Sequence, residues 1–147
     1  VVPEGRLART EAIAISGAGR PWRLSAGLGG GLAFDHGTHG LLRLDARFEH
    51  GYRTRLGAEA ALWLVDGDAQ GRVLATLARG LGHGLAIGVG AGVHVGADTG
   101  VAAGLRLRLP TPLPWLDGVL RYDAAVLLSR PRVEAEHAIS LGLEIAY

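Results

Sequence analysis

The sequence predicts an all-β protein: an antiparallel up-and-down β-barrel of about eight strands whose leucine-rich face is turned outward, toward a membrane. Three observations predict it. Apolar residues alternate with small or charged ones from Trp22 to Tyr147, the period of a strand with two unlike faces. Turn-forming clusters recur between these stretches at short, even spacing. The second face carries glycine, alanine and balanced charge, where a water-facing sheet would carry lysine, threonine and glutamine.

The strands follow in order. Trp22, Leu24, Ala26, Leu28, Leu32 and Phe34 share one face. Leu42, Leu44, Ala46, Phe48 and Tyr52 share the next, with Arg43, Asp45, Arg47 and Glu49 between them. Leu56 to Leu64 alternates against Arg55, Gly57 and Glu59; the helix-like patch Ala58–Leu62 lies inside this alternation. Val73, Ala75 and Leu77 form a weaker strand. In "LAIGVGAGVHVG", Leu85, Ile87, Val89, Ala91, Val93 and Val95 oppose glycines, Ala86 and His94. Val101 to Leu109 opposes Arg106 and Arg108, and Leu120 to Leu128 opposes Arg121 and Asp123. The last strand runs through Ile139, Leu141, Leu143, Ile145 and Tyr147. Turn chemistry separates them at 35–40, 66–71, 97–100, 110–117 and 129–132. Such strands approach the ~9–11 residues that cross a bilayer when tilted. Residues 21–147 are read as the barrel, and residues 1–20 as an extension, an extra strand over Ala8–Ser16, or a segment inside the barrel.

Alternation alone does not say which face is inside. A soluble lipocalin-like barrel holds its apolar face inward around an apolar ligand, and a membrane barrel turns it to lipid. The small residues favour the second, because about eight strands enclose little volume. The charges agree. Arg43, Arg47, Arg55, Arg106, Arg108 and Arg121 would share the lumen with Asp45, Glu49, Glu59, Asp123 and Glu144, and buried charges must pair. All 15 basic residues are arginine, whose five-donor fork suits such a network. Leu85, Ile87, Val89, Val93 and Val95 then face lipid. Removing Arg106 should leave a carboxylate unpaired, at about 3–5 kcal/mol. Most aromatics sit near strand ends, as interfacial girdles require: Trp22, Phe34, Tyr52, Trp63, Trp115, Tyr122 and Tyr147. Trp63 lies on the polar parity and joins a girdle only if its strand ends or bulges before it.

The final alternating strand, Ile139, Leu141, Leu143, Ile145 and Tyr147, resembles the C-terminal assembly signal of bacterial outer-membrane barrels. With the pattern of residues 22–147, it makes the chain similar to the small OmpA/OmpX-type barrels. The resemblance implies a bacterial outer-membrane location, strand termini on the periplasmic side, and insertion by the barrel assembly machinery. Its partners would be outer-membrane lipid and other envelope proteins. The short turns depart from that family and disfavour an adhesin, which works through long loops.

The remaining composition excludes other classes. Net charge is +1 and the arginines are dispersed, so no nucleic-acid surface is expected. The absence of cysteine removes disulfides, thiolate metal sites and cysteine nucleophiles. The chain opens on Val1, as expected of a chain whose signal peptide has been removed. Asp35, His36 and His39 offer metal-ligand chemistry, but such residues also simply make a turn. His137, Ser140 and Glu144 invite comparison with outer-membrane lipid A deacylases. Positions 137 and 140 fall on opposite strand faces and cannot pair, so a lipid-modifying enzyme is the weakest alternative. The glycine runs lack the Lys-Ser/Thr and helix of a phosphate loop. His94 reads as a lumen histidine. No cofactor, metal or catalytic residue is expected, and the role that remains is structural, anchoring or partner-binding.

Overall fold

The computed structural model describes residues 21–147. Eight strands close into one antiparallel barrel in sequence order: β1 (Trp22–Phe34), β2 (Thr38–Gly51), β3 (Thr54–Val65), β4 (Asp68–Gly82), β5 (Leu85–Val95), β6 (Gly100–Pro110), β7 (Leu116–Leu127) and β8 (Glu134–Ala146). The first and last strands close the seam. Tyr147 donates its backbone N–H to the Leu24 carbonyl at 2.8 Å, so the terminal strand is ladder-paired to its end. The twenty residues before Pro21, read as extension, strand or plug, lie outside the described residues.

Register fixes the barrel's shape. From Leu24 the paired row passes through Phe48, Ala58, Ala75, Ala91, Ala103, Ala124 and His137 and re-enters β1 at Phe34, ten residues further along. Eight strands with that stagger tilt about 43° from the axis and enclose a radius of roughly 8 Å. Strands of 11 to 15 residues then rise about 26–36 Å, enough for the ~25 Å apolar band of a membrane barrel.

Leucines and valines point out. Leu28, Leu44, Val89, Val93, Leu105, Ile139, Leu141 and Leu143 are each about half exposed, while Arg43, Arg47, Glu49, Glu59, Arg121, Asp123 and Glu144 are buried. This overturns the alternative of a soluble barrel, which needs the leucine face around a lumen ligand. Curvature this tight uses glycine at points of close approach. A Cβ at Gly31 would collide with the Ile139 carbonyl, and one at Gly92 with the Val73 carbonyl.

Three expectations change. The weak strand around Val73–Leu77 belongs to the longest element, β4. Its turns are tight two-residue ones: Asp66–Gly67 (φ 49° and 88°) and His83–Gly84 (φ 52° and 81°) take left-handed conformations, so Asp68 to Gly71 join the ladder. Trp63 keeps the inward parity of β3 without a bulge and is 1% exposed inside the barrel. Tyr122 lies mid-strand in β7, paired to Leu105 and Ile139, rather than at an end. The outward aromatics therefore collect at the near rim, where β1 begins and β8 ends. Trp22, Phe48, Tyr52, Trp115 and Tyr147 are exposed there, and Phe34 stands at the far rim.

Candidate functional site

The interior is a layered polar core. β2 and β3 face each other with Arg47 and Glu59 in register, and Arg47 donates to Glu59 at 2.5 and 3.0 Å. Arg121 of β7 donates to the same carboxylate at 2.5 Å and grips Asp123 in a two-point contact at 2.9 and 3.2 Å. Arg43 donates to Asp45 at 2.7 Å and to the Ser140 hydroxyl of β8 at 2.5 Å. Glu144 collects three guanidinium groups: Arg106, Arg47 at 3.4 Å and Arg23 at 3.3 Å. Toward the near rim, Asp117 holds Arg23 at 2.7 Å and Arg108 at 3.7 Å.

The charge set read from the sequence is thus distributed as follows. Arg43, Asp45, Arg47, Glu59, Arg106, Arg121, Asp123 and Glu144 meet in one connected cluster. Arg108 joins it through Asp117 and Arg23. Arg55 instead donates to the Tyr52 carbonyl at 3.1 Å, and Glu49 is buried with no ion-pair partner within 4.0 Å among the described residues. Beside Glu49, a cavity of about 20 Å³, no larger than one water molecule needs, is bounded by Arg47, Thr76 and Arg106.

Above this core, toward the far rim, apolar clusters join the lumen. Leu41, Ala61, Trp63 and Ala138 pack together, and Leu74, Ala102 and Ala125 form a second cluster. The Arg72 guanidinium stacks on the Trp63 ring at 3.9 Å and donates to His94 at 3.2 Å. Period-two parity placed His94 inside; the aromatic closure was missed, because an inward Trp at a strand end carries no local mark that separates it from a girdle residue.

At the far rim, Arg130 ties three connections together. It donates to Asp98 at 2.8 Å, to Asp35 at 3.5 Å and to Glu134. The Asp98 and Glu134 carboxylates hold the Arg130 guanidinium pKa above its ordinary value. Asp35, His36 and Glu134 bring one ligand atom each within 4.8 Å. His39, read with Asp35 and His36 in sequence, turns instead to Asp66, and Glu134 was not part of that reading. Arg130 already contacts both carboxylates of this group, so its geometry is that of a loop clasp. The His137–Ser140–Glu144 comparison fails in space as the parity argument required. Ser140 and Glu144 point inward, while His137 lies outside, 2.5 Å from the Tyr122 hydroxyl.

No protein-family model matches the chain, and no curated protein matches it in sequence. Solved structures do match its fold. A de novo designed transmembrane β-barrel superposes with a TM-score of 0.65 at 12% identity, over 87% of this chain and 98% of that one. Neisserial surface protein A gives 0.59 at 11% identity, over 85% and 96%. The Yersinia pestis outer membrane protein Ail, in a phospholipid bilayer nanodisc, gives 0.54 at 15% identity, over 84% and 99%. The chain therefore has the fold of a small eight-stranded transmembrane β-barrel, as small OmpA/OmpX-like barrels do.

Proposed function

We propose that this barrel sits in a bacterial outer membrane as a closed structural or anchoring element, without a channel and without catalysis. One observation carries the reading: the lumen is filled by interlocked arginines and carboxylates and is closed toward the far rim by Trp63 and Leu41. An interior so filled favours a closed lumen over a channel, and the central Arg43, Arg47 and Arg121 are held by carboxylate partners rather than presented to a substrate. The outward face of β8, from Ile139 to Tyr147, is the segment that the barrel assembly machinery would recognise. The short connections leave the two rims and the lipid-facing wall as the surfaces for envelope partners.

Two measurements test this. Boiled and unboiled membrane extracts should migrate differently on a gel, with no soluble pool; a monodisperse detergent-free protein refutes the membrane reading. The folded barrel should add no stepwise conductance to a planar bilayer at neutral pH. Reproducible unitary steps would mean that the charge cluster is a gate, and would refute the closed lumen.

A further inference from the structure

The two rims differ in charge on the surface that lipid and water reach. At the far rim, Asp35, Asp66, Asp68, Asp98 and Glu134 outnumber Arg130 and Arg132. At the near rim the carboxylates Glu49, Asp117 and Glu144 are all drawn toward the lumen, where the last two are paired. What remains outside there is basic. Arg53 and Arg79 are both exposed, and neither has a carboxylate in ion-pair range among the described residues. They are neighbours, because Gly80 donates its backbone N–H to the Arg53 carbonyl at 2.8 Å and Arg79 pairs with Thr54 in the ladder.

Beside them the outer wall is indented. A groove of about 240 Å³ is lined by Thr54, Arg79, Leu77, Ile87 and Val89, with Ala78 and Gly88 in its floor. One end is cationic and the other is branched aliphatic. The groove lies on the rim that carries the outward aromatics Trp22, Phe48, Tyr52, Trp115 and Tyr147, the mark of the headgroup level. An unpaired guanidinium at that depth is stabilised by reaching a lipid phosphate, and each such residue near an anionic surface contributes about fivefold in affinity.

From this we infer that the near rim holds a binding site for an anionic phospholipid. Arg79 and Arg53 take the phosphate-bearing headgroup, and one acyl chain lies along Leu77, Ile87 and Val89. The site rests on the membrane reading above and adds to it a lipid preference and a place for it.

The test compares unfolding in urea from vesicles of phosphatidylcholine alone and with one-fifth phosphatidylglycerol, at equal acyl length. The native chain should unfold roughly 25-fold more slowly with phosphatidylglycerol, about fivefold for each of the two arginines. Arg79→Gln should cut that gain to about fivefold and Arg53→Gln with Arg79→Gln should abolish it, whereas Arg79→Lys should keep most of it and Arg132→Gln at the far rim should leave it unchanged. A gain that survives the double variant overturns the site while leaving the membrane reading intact. A gain reproduced by glycerol phosphate added to pure phosphatidylcholine vesicles overturns a lipid occupant. A gain that scales with the protein-to-lipid ratio marks contact between two copies instead, and also overturns it. Failure of the native chain to insert into either vesicle overturns the membrane reading and the site together.

Discussion

Arg121→Leu is the sharpest probe of the polar interior. The side chain is buried, and it is the ion-pair partner of Asp123, which is 0% exposed. Three donated bonds disappear with it: two to Asp123 and one to Glu59. Glu59 keeps Arg47 at 2.5 Å, so its loss is partial. Asp123 is left as a buried carboxylate with no cation in ion-pair range among the described residues. Breaking such a pair from one side costs about 3–5 kcal/mol, against a typical total stability of about 5–15 kcal/mol. Reversible urea unfolding in vesicles, followed by tryptophan emission, should therefore show a loss of about 4 kcal/mol with an unchanged m-value. Arg121→Leu combined with Asp123→Leu removes both charges and should recover at least half of the loss, because the stranded charge rather than the missing attraction dominates it. A loss below about 1 kcal/mol for the single variant would mean that Asp123 is hydrated, as for a surface pair, and would refute a closed, dry lumen.

Arg106→Leu should cost about 1–2 kcal/mol in the same assay, not the ~3–5 kcal/mol expected from the sequence, because Glu144 is not left unpaired but retains Arg47 and Arg23; a loss equal to that of Arg121→Leu would show that those longer contacts contribute nothing. Gly31→Leu should prevent refolding into vesicles, because the new side chain meets the Ile139 carbonyl across the β1–β8 seam; normal refolding would mean that the seam is not closed at this register. Brominated lipids should quench Trp22 and Trp115, which stand exposed at the near rim, and spare Trp63. Quenching that persists in a variant keeping Trp63 alone would place that residue back in an outer girdle.

How much of this was legible in the sequence depends on what period two encodes. Parity assigns a face, so Arg43, Arg47, Glu59, Arg106, Arg121 and Glu144 could be placed inside, and Val89 and Leu141 outside, without any knowledge of closure. Direct cross-strand pairs are nearly legible as well, since Arg47 stands opposite Glu59 across one turn. Parity does not encode height or stagger. Which residues meet across the lumen follows from the ten-residue offset, a property of the closed barrel that no single strand carries. The meeting of Arg43 with Ser140, or of Arg121 with Glu59, was therefore not readable, and neither was the lack of an ion-pair partner for Glu49 among the described residues. Trp63 shows the same limit. Its parity said inward while its place near a strand end suggested a girdle, and parity prevailed because Arg72 offers its ring a partner inside.

The abundance of glycine and the absence of lysine, met as two oddities of composition, are one constraint. Gly27 and Gly29 of β1 lie between β2 and β8, paired to Asp45 and Arg43 on one side and to Glu144 and Gly142 on the other. A Cβ at Gly27 would stand 2.7 Å from the Asp45 carboxylate, and one at Gly29 would stand 2.9 Å from the Arg43 guanidinium. The β2 side chains reach over this bare strand to their partners on β8: Arg43 to Ser140 at 2.5 Å, Arg47 to Glu144 at 3.4 Å. Crossing a whole strand needs a long side chain with donors set at fixed angles, so that one guanidinium can serve Asp45 and Ser140 at once. A lysine ammonium would present a single point charge and would leave one of them unmet. Gly104 repeats the device on β6, where a Cβ would stand 2.8 Å from Asp123. Side-chain volume removed from one strand is thus occupied by the neighbouring strand's charge cluster. The interior is consequently filled in a way that alternation of large and small residues along any single strand could not achieve.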